Sequence, residues 1–233
     1  MKSTKNNCTA IIVALNYEMD KLDYQYQEVK IDNQTYFVID NKIILLFTGI
    51  GKTNSSYKTA LLLTHFKNVD QIINIGSSGT VNKNMNVFDI NIATTCQYGD
   101  VDVSCDPEYD INQIPYESKY FDTNPNTLKV LNNIASSFNY HYFNGIAMTV
   151  DSFVTLDNLN IFKEVTNENV FSLDMECAAI GQVCKHFNVP FNCVKVISDN
   201  PLVKNNHNSF AQNMKNISIM IANMVNKIIK HYL

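Results

Sequence analysis

Three carboxylates stand where an enzyme built on a sheet would place its chemistry: Glu18, Glu176 and Asp199. Asp199 closes the sequence Val196-Ile197-Ser198-Asp199, directly after an apolar run. An acid in that position either caps a helix or donates a proton at the carboxyl edge of the sheet. Glu176 belongs to Asp174-Met175-Glu176, where a helical pattern begins. The helix dipole alone favours acids there. Its neighbours are Met, Cys and Ala, however, which is a poor setting for an ordinary surface charge. The two oxygens of a carboxylate also suit a pair of hydroxyls. Glu18 follows the first apolar run, in Ala14-Leu15-Asn16-Tyr17-Glu18, and alone reads as a helix-start acid.

Two glycine segments accompany these acids. Gly49-Ile50-Gly51-Lys52 lies between a strand pattern and a helix pattern, without the rest of a P-loop or a dinucleotide fingerprint. It reads as a tight turn with close helix–strand packing, with backbone contact to a ligand as the alternative. Gly76-Ser77-Ser78-Gly79 reads as a turn or as a ligand loop in which Ser77 offers a hydroxyl. The five His include no HExxH and no pair at metal-ligand spacing, and no GxSxG marks a nucleophilic serine. Neither metal nor cofactor is expected, and His186 and His207 read as surface or cap residues.

The elements that must position these residues alternate along the chain. Thr9–Leu15 is a continuous apolar run, as expected of a strand covered on both faces. Tyr24–Lys30, Tyr36–Ile39 and Ile43–Phe47 read as short strands joined by polar turns at Asp32-Asn33 and Asp40-Asn41. Gln71–Ile75, Val87–Thr95, Asn144–Met148, Val170–Leu173 and Phe191–Ile197 are further strand candidates. Helical spacing marks Thr53–Lys67, Thr127–Phe138, Leu156–Glu164, Met175–His186 and a long amphipathic segment, Phe210–Leu233. Strands alternating with helices predict an α/β fold, whose ligands bind at the carboxyl ends of the strands.

Bulk properties bound the function. A chain of 233 residues with no repeat or Pro/Gly-rich linker is expected to form one domain, 1–233. A net charge of −4 gives no basic footprint for nucleic acid and no attraction to an anionic membrane. No apolar run approaches the ~20 residues that cross a bilayer, and Met1–Cys8 lacks a signal-peptide core. Six scattered Cys without a CxxC pair predict buried thiols in a reducing compartment, and the cytoplasm is the expected location. The chain contains no Arg, so no bidentate guanidinium is available to clamp a phosphate.

In order and content the motifs resemble one family. They are Ala14…Glu18, Thr48-Gly49-Ile50-Gly51-Lys52, Asn74-Ile75-Gly76-Ser77-Ser78-Gly79, Asp151-Ser152-Phe153-Val154, Asp174-Met175-Glu176-Cys177-Ala178-Ala179-Ile180 and Val196-Ile197-Ser198-Asp199. Together they resemble the 5′-methylthioadenosine/S-adenosylhomocysteine nucleosidases of the purine nucleoside phosphorylase superfamily, from about Thr9 to the C-terminal helix. The resemblance implies a three-layer α/β/α fold around a mixed, partly closed sheet, a homodimer, and hydrolysis of the N-glycosidic bond of 5′-substituted adenosines. Residue by residue, it implies that Asp199 protonates adenine N7, with Ser198 beside it. Phe153 would stack on the base and the Val154 backbone would bond its edge. Glu176 and the Met175 backbone would hold the ribose hydroxyls. Glu18 would activate water, Ser77 would lie near water and ribose, and Ile50 and Phe210 would line the 5′ pocket.

The chemistry is coherent with this. An oxocarbenium-like transition state wants a proton on the leaving base and negative charge near the sugar. Asp199 must then carry a proton at neutral pH, so its site is expected to be apolar. Phosphorylases of the same superfamily hold phosphate with Arg, which this chain lacks, so water is the expected nucleophile. A phosphorylase, an aminofutalosine hydrolase and a non-catalytic nucleoside-binding protein are the alternatives. Three departures from the family pattern stand out. Lys195 replaces an Arg behind the ribose-site Glu, so a hydrogen bond there is lost or replaced. Asn200-Pro201 follows the key acid, and the loop to Phe210 is one residue longer. The partner-subunit segment Cys105–Pro115 lacks an aromatic near Asp106-Pro107, beside the 5′ pocket.

Overall fold

The computed structural model describes residues 7–16, 22–204 and 206–233. Glu18 lies outside the described residues. A mixed sheet of twelve strands is covered by helices on both faces, in the expected three layers. Its centre is β1 (Cys8–Val13), fully buried, paired in parallel with β4 (Ile43–Phe47) and β5 (Val69–Gly79). The side-chain period of two sends Ala10 and Ile12 into one apolar core and Ile11 and Val13 into the other. The first core lies under α1 (Lys52–His65) and α3 (Cys177–Phe187); the second lies under α2 (Pro125–Ser136) and α4 (Asn206–Tyr232). On α4, Ile217, Ile221, Met224, Val225 and Ile228 follow helical spacing and are buried in the second core.

The edge β2 (Gln27–Ile31), β3 (Gln34–Ile39) and β4 is an antiparallel meander. Both of its turns were legible. Asp32-Asn33 and Asp40-Asn41 all take positive φ, the left-handed backbone that these tight turns use and that Asn and Asp tolerate. α2 begins as its sequence dictates. The Asn124 side chain accepts from the Asn126 and Thr127 N–H groups, with Pro125 in the first turn.

β5 organises the rest. It pairs with β1 on one side and β12 (Phe191–Asp199) on the other, and at its last residue Gly79 it meets β11 (Val170–Asp174). β6 (Ile90–Ile92) and β9 (Tyr142–Phe143) extend the β12 branch. β10 (Ile146–Thr149), β7 (Thr95–Tyr98) and β8 (Phe121–Asp122) extend the β11 branch. No strand pairing among the described residues joins the two outer edges into a ring.

Three expectations are corrected. Gly76–Gly79 is not a turn between strand and helix, because β5 runs through it, paired to β12 at every residue. Leu156–Glu164 is not a helix; only a 3-10 turn, Leu159–Ile161, forms there. Val87–Thr95 is not one strand: only β6 lies within it, and β7, which begins at Thr95, runs to different neighbours.

Candidate active site

The branch point at the end of β5 sets the geometry of the site. Gly79 is in register with Asp199 on β12 and with Leu173 on β11. Asp199 therefore stands on one side of β5. Asp174 ends β11 on the other side, and the chain turns there through Met175 into α3, with Glu176 as its N-cap. One cavity opens between the two arms. It is lined by Asp199, Ser198, Glu176, Met175, Phe153, Val154, Ser77, Ile50 and Phe210. Every site residue named from sequence lines it except Glu18, which lies outside the described residues. Ala14 and Leu15, at the end of β1, also border the cavity.

Asp199 is 3% exposed. Ser198 Oγ lies 2.8 Å from Asp199 Oδ1 and 3.0 Å from the Ser78 carbonyl oxygen. The strand end is held from two more directions, by Asn213 Nδ2 donating to the Ser198 carbonyl at 2.8 Å and by the Thr80 N–H donating to the Asp199 carbonyl at 3.0 Å. Phe153 is exposed at the cavity wall and meets Phe210 edge to face at 5.6 Å, so α4 supplies the second half of an aromatic rim. Ile50 is likewise exposed, whereas Val154 is buried.

The loop before α1 answers one open question from the sequence. Gly51 has φ +96°, and its N–H donates to Glu176 Oε1 at 3.0 Å. This loop therefore aims its backbone at a protein carboxylate on the cavity wall. The loop is fixed at its rim. Asp151 Oδ1 accepts from the Lys52 N–H at 2.9 Å, and Lys52 Nζ meets Asp100 at 2.8 Å.

Behind Glu176 lies a buried charged network. Lys195 is 1% exposed, and its Nζ lies 2.6 Å from Asp174 Oδ2 and 3.8 Å from Glu176 Oε2. Asp174 Oδ2 also accepts from the Cys177 N–H at 2.9 Å, and its Oδ1 accepts from the Thr149 hydroxyl at 2.5 Å. Thr149 Oγ1 in turn accepts from the Ala178 N–H at 2.9 Å. Asp174 and Thr149 thus cap the first turn of α3 while Glu176 points at the cavity. Burial alone would pull the Lys195 ammonium down, but Asp174, then Cys193 and Glu176, hold it well above its ordinary value. Sequence reasoning left Asp174 without this role and did not single out Thr149 at all.

Comparison with known proteins decides the family. Residues 9–230 match the family model of the phosphorylase superfamily. A 5′-methylthioadenosine/S-adenosylhomocysteine nucleosidase from Buchnera aphidicola is 36% identical over 205 residues, covering 87% of this chain and 84% of that protein. The chain belongs to the 5′-methylthioadenosine/S-adenosylhomocysteine nucleosidase family.

Its fold agrees. A nucleosidase of the family from Neisseria meningitidis, in complex with methylthio-immucillin-A, superposes with a TM-score of 0.84 at 26% identity, covering 97% of this chain and 99% of that one. The Streptococcus pneumoniae family member, with the transition-state inhibitor MT-ImmA, gives 0.82 at 27% identity, covering 94% and 96%.

Proposed function

We propose that this chain hydrolyses the N-glycosidic bond of 5′-methylthioadenosine, S-adenosylhomocysteine and related 5′-substituted adenosines, releasing adenine and the 5′-substituted ribose. The observation that carries the reading is the pair of buried acids, Asp199 and Glu176, facing one cavity from opposite sides of β5. A purine nucleoside spans that gap with its base at one acid and its sugar diol at the other.

In this reading Asp199 delivers a proton to N7 as the glycosidic bond breaks. The hydroxyl of Ser198 holds Asp199 at Oδ1, so the proton for N7 is assigned to the other carboxyl oxygen. Phe153 stacks on the base and the Val154 backbone bonds its edge. Glu176, with the Met175 backbone, holds the ribose hydroxyls. A carboxylate has about four lone-pair sites, enough for the Gly51 N–H and a diol together. Its negative charge also lies where the oxocarbenium develops. Glu18 is assigned to the attacking water, Ser77 to water and ribose, and Ile50 and Phe210 to the 5′ group. The chain has no Arg to hold phosphate, which supports water as the nucleophile.

A homodimer is part of the proposal. In this reading residues 105–115 reach the partner's 5′ pocket. A cytoplasmic location is proposed too; among the described residues no helix is long and apolar enough to cross a membrane.

Incubation with methylthioadenosine, with and without phosphate, tests the reading. Free adenine at equal rates in both is expected. A phosphate-dependent rate with ribose 1-phosphate as product overturns it, and so does the absence of adenine. The Gly51 loop gives a graded test. Gly51→Ala forces a side chain into backbone at φ +96° and ψ 159°, which only glycine adopts readily, at a cost of about 1–3 kcal/mol, and its Cβ would meet Asp151 Oδ1 at 3.3 Å. A roughly tenfold rise in KM is expected, because the strained N–H is the one that orients Glu176, together with a melting temperature lowered by roughly 2–12 °C. Steady-state kinetics with a melting curve check it.

A further inference from the structure

Beneath the ribose-binding edge, three cysteines from three elements converge. Cys96 comes from β7, Cys177 is the first residue of α3, and Cys193 comes from β12. Their sulfurs all lie within 4.8 Å of one another, and Cys96 Sγ and Cys177 Sγ are 2.7 Å apart. All three are completely buried in the core under α1 and α3. Buried Cys often acts as a small hydrophobe, but that role does not require three sulfurs to point at one centre.

From this convergence we infer that Cys96, Cys177 and Cys193 form a binding site for one soft monovalent cation, with Cu(I) as its ligand class. Several observations select that ion. The donor set is sulfur alone, which excludes oxygen-seeking cations. A structural Zn(II) site takes four protein ligands, and among the described residues no further His, Cys, Asp or Glu joins the group, while a three-ligand zinc would need a water at this completely buried centre. Metal–sulfur bonds of about 2.3 Å set three sulfurs roughly 4 Å apart in a trigonal plane. Binding then requires Cys96 and Cys177 to part by about 1 Å from their present 2.7 Å.

Binding replaces three S–H protons, which leave to solvent, by three sulfur–metal bonds, with no change of oxidation state. The negative charge of the thiolates faces two fixed positive features. Cys177 sits at the N-terminal end of α3, and Lys195 lies two residues beyond Cys193 on the same face of β12. Asp174, which pairs with Lys195 and accepts from the Cys177 N–H, opposes them, so the bound cation must itself offset part of the thiolate charge.

The site is independent of the proposed reaction and is tested without substrate. Reduced protein is first shown by thiol counting in denaturant to hold its six free thiols. It is then titrated anaerobically with Cu(I) against a chromophoric Cu(I) chelator. One ion per chain is expected, with at least a 100-fold loss of affinity in Cys96→Ala, Cys177→Ala and Cys193→Ala, and none in Cys105→Ser or Cys184→Ala. X-ray absorption on the loaded wild-type protein gives a reading that no variant's folding affects, and three sulfur neighbours are expected. A failure to take up the ion, a shell of nitrogen or oxygen, or loss of binding in Cys105→Ser overturns the assignment.

Discussion

Asp199→Asn lowers the rate of adenine release by about 10²–10⁴-fold, the usual contribution of a general acid. The substitution keeps the volume and one acceptor oxygen of the side chain but has no acidic proton to give. Its position changes little, because the end of β12 is fixed through its backbone by Thr80 and Asn213. Loss of the proton therefore falls on kcat, with KM for the nucleoside nearly unchanged. Ser198 Oγ also keeps a partner at the remaining oxygen, so no buried hydroxyl is orphaned. Steady-state turnover of methylthioadenosine, together with calorimetric binding of the nucleoside, separates the two effects. Near-normal turnover would remove Asp199 from the role of acid. Loss of binding with unchanged kcat would make it a base-recognition residue instead.

Asp199 and Glu176 were legible because each ends a strong local pattern. One follows an apolar strand, and the other starts a helix among apolar neighbours, so the ends of elements point to the cavity. The meander turns were legible for a similar reason, since Asp-Asn pairs carry their own backbone preference. What stayed hidden depends on contacts remote in sequence. Gly and Ser disfavour strands, yet Gly76–Gly79 is strand because β12 supplies a partner more than 110 residues away. The apolar spacing of Leu156–Glu164 satisfies a helix, but Phe162 and Val165 are drawn into a satellite core with Val154 and Met148 instead. Asp174 in the sequence is only an acid at a helix start. Only the fold shows that it accepts from Lys195, Cys177 and Thr149 together, and so leaves Glu176 as the cavity-facing acid. The convergence of Cys96, Cys177 and Cys193 is invisible for the same reason, because it exists only once β7, α3 and β12 are packed.

Lys195→Met carries the largest expected cost in stability. The ammonium is buried and bonded to Asp174, with Glu176 within 3.8 Å. Removing it leaves buried carboxylates without their countercharge, which typically costs about 3–5 kcal/mol. For a chain of this size that lowers the melting temperature by roughly 6–20 °C. The sign of the pH dependence follows from the same contacts. The folded-state value of Lys195 is raised above its ordinary 10.5, so its contribution is fully present below that pH. It is lost only as pH rises through the higher folded-state value. The gap between wild-type and variant melting temperatures is therefore flat from neutral pH to about 9 and narrows only in strong alkali. The double variant Asp174→Asn/Lys195→Met removes the main unpaired carboxylate and recovers part of the loss, as coupling through a shared ion pair requires. In kinetics, Lys195→Met acts through Glu176. The carboxylate loses its support from behind but keeps the Gly51 N–H, so KM rises more than kcat falls. A variant as stable as wild type would show that the Lys195–Asp174 contact contributes no net stability. An effect on kcat alone would place Lys195 in the chemistry rather than behind the ribose site.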